Sequence, residues 1–219
     1  MEESDPRVIE SGPLPYMLSI PIAHKIEAGP LPVICFLHGY DEAAPLPIQR
    51  GVTRHGPLRR GSSRTAVREC IIIAPQLPYP GDIWHLFADA VRQIVTQVRE
   101  AYRGDPDRTY LTGFSFGGNG VLDLPLVQRD FWAALWPVDP TRVPTSDPGR
   151  PLWLSFGEVS RRRKEAFIRA LNLTHAGASA HGNRLYLDEG QDHVSSAELA
   201  YRDEKIYSWL LSKSLASAV

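Results

Sequence analysis

The chain is poor in cysteine, carries almost no surplus of charge and contains no long apolar run, and each shortage closes off a class of protein. Only two cysteines, Cys35 and Cys70, occur in 219 residues, too few for a disulfide framework. Both lie at or inside short apolar runs, where a thiol acts as a small buried hydrophobe, as expected of a reduced, cytoplasmic protein. Against 24 Lys and Arg stand 25 Asp and Glu, a formal net charge of −1, so no bulk field draws nucleic acid or an anionic membrane. The longest apolar stretches, CIIIAP (70–75) and FWAALW (131–136), fall far short of the roughly 18–20 residues that span a bilayer. The opening MEESDPRVIE is acidic and has neither the basic start nor the apolar segment of a secretory signal. A composition 43% hydrophobic and 22% charged is that of a folded globular chain. The length suits one hydrophobic core, and a single domain over 1–219 is expected. Nothing in the composition speaks to oligomeric state.

Proline is the residue in excess, 19 in 219 where about 5% is usual, which means many rigid turns between elements. Between these breaks, short apolar runs alternate with longer amphipathic segments, the pattern of a mostly parallel sheet flanked by helices, an α/β fold. The runs at 32–39, 69–76, 109–115, 132–139, 151–158 and 183–190 read as strands, preceded by a hairpin of 16–22 with Val8 and Ile9. Trp84, Phe87, Ala90, Val91, Ile94, Val95, Val98 and Tyr102 recur at helical spacing and predict a helix over 83–102. Weaker patterns predict helices near 116–130, 161–175 and 196–212, the first bent or shortened by Pro125. The segment 41–68 shows no periodicity and carries six arginines. It is expected to be a long loop or lid over the site, either solvated surface or a contact for an anionic substrate group.

Chemistry enters at residues 113–117. There the strand TYLTGFS runs into Gly113-Phe114-Ser115-Phe116-Gly117, a G-x-S-x-G at a strand-to-helix junction. That is the context of a nucleophile elbow, a turn so tight that glycines must flank the serine and the helix N-terminus lies under its hydroxyl. An oxyanion formed on attack by Ser115 would meet the N–H of Phe116 and that of Tyr40, which follows His38-Gly39 at the end of an earlier strand. His38 itself is expected to hold that loop by bonding backbone. The base must come later in the chain; His193, in the loop after the last strand, is the candidate, while His175 and His181 read as surface. The acid is open: Glu158, at the end of its strand, is the first candidate and Asp139, at the end of another, the second. Trp84 and Phe114, with Tyr40 and Phe116, are candidates for lining an apolar substrate pocket, although aromatics at such positions more often pack in the core. The run Arg161-Arg162-Arg163-Lys164 sits where a helix begins, a placement the helix dipole disfavours; it reads first as a solvated cluster and second as a contact for an anionic ligand or partner.

These blocks, VICFLHGY, IIIAPQLP, GDPDRTYLTGFSFGGNGVLDL, WAALWPVD, PLWLSFGE and DHVSSAELAYRDEKIYSWLL, together resemble the α/β-hydrolase superfamily. They look most like its small phospholipase/carboxylesterase and feruloyl-esterase-like branch, the so-called predicted peptidases, over roughly 32–211. The resemblance implies an eight-stranded, mostly parallel sheet with helices on both faces and no large cap. It also implies no metal or organic cofactor, and a small-molecule ester or thioester as substrate. Ser115 then matches the nucleophile, His193 the base, and Tyr40 with Phe116 the oxyanion hole. Two positions depart from the family's pattern. Ser160 stands where H-G-x-x-D would place an aspartate, so the acid is displaced or missing, with a bare Ser115–His193 pair or Glu158 two residues earlier both workable, and His193 is shifted within its loop. The alternative is a non-hydrolytic protein on the same fold, a binding protein or a biosynthetic cyclase, with a degenerate triad.

Overall fold

The computed structural model describes residue 4 and residues 6–22, 29–177 and 182–215; His181 lies outside them. Nine strands form one sheet: β1 (Arg7–Ile9), β2 (Tyr16–Ser19), β3 (Leu31–Leu37), β4 (Ile71–Pro75), β5 (Gly104–Phe114), β6 (Ala134–Val138), β7 (Leu152–Phe156), β8 (Thr174–His175) and β9 (Arg184–Asp188). Their order is β1-β2-β4-β3-β5-β6-β7-β9-β8. The hairpin β1–β2 is antiparallel and joins β4 antiparallel, while every pairing from β4 through β8 is parallel. The sheet thus has one strand more than the eight expected: the extra one, β8, is two exposed residues, too short to leave a pattern in sequence.

The central strands are apolar without alternation because both faces are covered. Val33, Cys35 and Leu37 of β3 enter one core layer and Ile34 and Phe36 the other, as the two-residue period of a strand requires. The first layer packs beneath α3 (Ala88–Tyr102), which buries Val91, Ile94, Val95 and Val98, and α4 (Phe116–Val127). The second packs beneath α2 (Arg64–Glu69), α7 (His193–Ala200) and α8 (Glu204–Leu211), around Trp136, Tyr201 and Tyr207. Both cysteines are free and buried, one in each layer.

Three expected helices differ in extent for local reasons. The C-terminal segment breaks into α7 and α8 because Asp203 caps the second, its carboxylate accepting the Lys205 N–H at 2.9 Å. The segment at 161–175 becomes two short helices, α5 (Glu158–Arg161) and α6 (Lys164–Leu171). Helix α4 runs two residues past Pro125 and then stops.

The segment 41–68 is not a loose lid. It contains α1 (Ile48–Gly51) and α2, and buries Glu42, Ala43, Val52, His55, Ser63 and Ala66. The Gln76 amide beyond β4 donates to the carbonyls of Glu42 (2.9 Å) and Leu46 (2.8 Å) and clamps its start against the sheet. Its order comes from polar contacts to residues distant in sequence, which is why hydrophobic periodicity missed it. No helix among the described residues is long and apolar enough to cross a membrane.

Candidate active site

The chain steps from β3 to β4 on one side and then returns to place β5 on the other side of β3. Such a reversal opens a crevice at the carboxyl ends of the strands. Ser115 sits there, between β5 and α4, with φ 58° and ψ −117°, strained angles for a non-glycine residue. The strain is held by a bond from its N–H to the Val138 carbonyl at 3.0 Å and by the absence of a side chain at Gly113, where a Cβ would lie 2.5 Å from the Gly117 carbonyl. Ser115 is 7% exposed.

His193, the first residue of α7, comes to the same place. Its helix is capped by Asp192, whose carboxylate accepts the Ser195 N–H at 2.8 Å. Arg161 fixes the preceding turn by donating to Asp188 (2.8 Å) and to the Gln191 carbonyl (3.1 Å). The His193 Nε2 lies 3.0 Å from Ser115 Oγ, and its Nδ1 lies 2.5 Å from Asp139 Oδ2. A carboxylate can only accept, so Nδ1 carries the proton and Nε2 is the free acceptor facing the serine hydroxyl.

The carboxylate that reaches His193 is therefore Asp139, the second sequence candidate, and not Glu158. Glu158 opens α5 with its side chain turned to solvent, where it accepts from Arg162 at 2.8 Å. Asp139 follows β6 in a left-handed conformation (φ 42°) and is 0% exposed. Its Oδ1 accepts from the Ser160 hydroxyl (2.6 Å), the Ser160 N–H (2.7 Å) and the Gly157 N–H (3.1 Å). Burial pushes this carboxyl up, but the bonds from His193 and Ser160 outweigh it and hold the group below its ordinary value.

The other side of Ser115 is walled by the turn after β3. A Cβ on Gly39 would lie 3.2 Å from Ser115 Cβ, so this backbone touches the nucleophile. His38 is fully buried and its Nε2 accepts the Leu77 N–H (2.9 Å), which leaves Nδ1 to donate to the Gly39 carbonyl (2.7 Å). Because the peptide is trans and planar, a Gly39 carbonyl aimed at His38 points the Tyr40 N–H the opposite way. Phe116 N–H belongs to the first turn of α4, where amides have no partner within the helix. The two side chains meet edge to face at 5.7 Å.

Trp84 and Phe114 do not line an open pocket. Trp84 is 1% exposed and donates to the His38 carbonyl at 3.0 Å. Phe114 is buried between the rings of His55 and His193, at 4.6 and 4.5 Å. The aromatic side chain that does reach the surface beside Ser115 is Tyr40, 53% exposed. The basic run at 161–164 is absorbed largely by internal pairs, Arg161 and Lys164 with Asp188 and Arg162 with Glu158, which removes the reason to invoke an anionic ligand there.

Two buried groups had no signal in the sequence. Glu42 Oε1 and His55 Nε2 lie 3.5 Å apart behind Phe114. Burial disfavours charge on both, raising the carboxyl and, with Arg54 and Arg59 nearby, lowering the imidazole to about 4. Their pairing depends on how 41–58 folds back, which no short-range pattern encodes.

No family model matches the chain, and no curated protein matches its sequence. Solved structures do resemble it in fold. A thermostable esterase superposes with TM-score 0.70 at 21% identity over 97% of this chain; the alignment spans only 63% of that longer protein. An S-formylglutathione hydrolase from Staphylococcus aureus gives 0.67 at 15% identity, covering 95% of this chain and 96% of that one. The feruloyl esterase module from Clostridium thermocellum gives 0.69 at 10%, covering 95% and 88%. The fold is that of the α/β hydrolases.

Two outcomes test this geometry. A Cβ at Gly157 would collide with Asp139 Oδ2, the oxygen bonded to His193. Gly157→Ala should displace it and lower any Ser115-dependent turnover by about 100-fold or more, on the order of the ~3 kcal/mol lost with a misplaced polar partner. His38, buried and donating to Gly39, has its imidazole lowered from 6.5 to about 4, chiefly by burial. The unfolded chain therefore takes up this proton more readily than the folded one. Stability should be complete above pH 6.5 and fall as the pH drops towards 4, by on the order of 3 kcal/mol for this group. Chemical denaturation across that range should show a flatter profile in His38→Gln than in the wild type.

Proposed function

We propose that this chain is a serine hydrolase that cleaves a carboxylic ester or thioester of a small molecule through an acyl-enzyme on Ser115. The observation that carries the reading is the unbroken relay from Ser115 Oγ through His193 to Asp139, at 3.0 and 2.5 Å.

In this mechanism His193 Nε2 takes the hydroxyl proton as Ser115 Oγ attacks the carbonyl carbon. The charge that develops on the carbonyl oxygen is met by the N–H groups of Tyr40 and Phe116 and by the positive end of α4. His38 contributes by fixing the Gly39 carbonyl, so that the Tyr40 amide is already aimed before substrate arrives. Each such donor is worth about 3–4 kcal/mol in comparable sites. The imidazolium, stabilised by the carboxylate of Asp139, returns its proton to the leaving alcohol or thiol. Water then attacks the acyl-enzyme with His193 again as base, which releases the acid and restores Ser115.

Proteins with this fold, an esterase, an S-formylglutathione hydrolase and a feruloyl esterase module, agree with ester or thioester cleavage. The competing reading, a binding protein or cyclase with a degenerate triad, drew its force from the missing acid after β7. Asp139 fills that role from β6, so the departure no longer argues for loss of hydrolysis.

A fluorophosphonate probe should label the protein at Ser115, and p-nitrophenyl acetate and an acyl thioester should both be assayed. Ser115→Ala and His193→Ala should each abolish labelling and lower turnover by several orders of magnitude, the double variant little further. Asp139→Asn should cost about 10³–10⁴-fold, while Glu158→Gln stays near wild type. Turnover that survives in Ser115→Ala would end the proposal.

A further inference from the structure

We infer that Glu42 is a positioning residue for the oxyanion turn, its carboxyl holding the Gly39–Tyr40 peptide that lies against Ser115. This rests on the hydrolytic reading of Ser115 and His193 and deepens it.

The Tyr40 N–H belongs to a single 3-10 turn, Tyr40–Glu42, of which Glu42 is the last residue. The main chain of Glu42 is fixed from outside the turn. Its carbonyl accepts from Gln76 at 2.9 Å, and a Cβ on Gly51 of α1 would collide with that carbonyl. The side chain folds back over the start of the same turn. A Cβ on Gly39 would lie 2.8 Å from Glu42 Oε2 and 3.2 Å from Ser115 Cβ, so carboxyl, Gly39 and nucleophile meet in one packed corner. Gly39 has ordinary extended angles (φ −83°, ψ −164°), and glycine is needed there for room rather than for backbone freedom.

A carboxyl in this corner is costly. Glu42 is 3% exposed, and its Oε2 has no hydrogen-bond partner among the described residues. Its Oε1 lies 3.5 Å from His55 Nε2, beyond good hydrogen-bond length, with His55 itself packed on Phe114. A buried polar atom in this state is unfavourable for folding, and its effect falls on the backbone it touches. Burial raises the carboxyl, and the pull of the Gly39 N–H, ahead of that of Arg54, offsets part of the rise. His38 meanwhile donates to the Gly39 carbonyl at 2.7 Å. Gly39 is thus held at both of its polar groups. The planar peptide that joins it to Tyr40 is thereby restrained from swinging the Tyr40 N–H away from Ser115.

The test pairs p-nitrophenyl acetate turnover with inhibition by a trifluoromethyl ketone. Ser115 Oγ adds to the ketone carbon, the hydroxyl proton passes to His193, and the ketone oxygen becomes an oxyanion. Glu42→Ala should lower kcat about 10–100-fold at unchanged KM, less than the roughly 10²–10³-fold of losing a donor outright. Glu42→Asp, which keeps the charge but falls one methylene short, should do the same. In both, the inhibition constant should rise by the factor that kcat/KM falls. Glu42→Gln, with the reach and a terminal oxygen but no charge, should recover most of both losses. Wild-type kcat/KM in a folded Glu42→Ala protein overturns the inference, as does a fall in turnover with an unchanged inhibition constant. Glu42→Asp faster than Glu42→Gln also overturns it, and this comparison decides the matter if Glu42→Ala does not fold. Failure of the wild type to label with a fluorophosphonate at Ser115 would instead remove the hydrolytic reading beneath it.

Discussion

A carboxylate taken wholly out of water must be surrounded by donors, because an unpaired charge in the interior costs several kcal/mol. Asp139 is that group here. Three N–H groups from the turn after β7, one hydroxyl and one imidazole converge on its two oxygens, and their sum holds it ionised despite its burial. Each donor comes from a different constraint: β7 sets the turn, Ser160 closes the cavity, and Arg161 and Asp192 bring His193 within reach. The relay to Ser115 follows from satisfying this one charge.

The opposite wall of the site is built on the same logic with neutral groups. His38 spends one nitrogen on Leu77 and the other on Gly39, and Trp84 bonds the His38 carbonyl. Gln76 ties down the carbonyls of Glu42 and Leu46. The turn beside Ser115 is thus fixed by long-range polar bonds to the sheet and to α3's leading turn. A rigid donor pair is what acyl transfer requires, since preorganised dipoles need not be reoriented as charge develops.

Much of this was legible in the sequence. The elbow at Gly113–Gly117, the strand ends, the amphipathic helix after β4 and the choice of His193 depend on local spacing and chain order, and both survive without tertiary knowledge. The acid did not, because the choice between Asp139 and Glu158 is made by a backbone sign at Asp139 and by the register of β6 against β7. Glu158 stands at an equally suitable strand end but points outward from α5. An aromatic beside a motif does not reveal which face it takes, so the sequence leaves Trp84 and Phe114 between core and pocket; both are enclosed. The order in 41–68 went unseen since its cohesion lies in Gln76, Glu42 and His55, residues with no periodic relation.

The central claim, that the His193 Nδ1 proton is held by Asp139, can be read directly by ¹⁵N-edited proton NMR of the imidazoles. The wild type and Glu158→Gln should both show a strongly downfield, slowly exchanging Nδ1–H signal assigned to His193, and Asp139→Asn should lack it. Persistence of that signal in Asp139→Asn, or its loss in Glu158→Gln, would contradict the account.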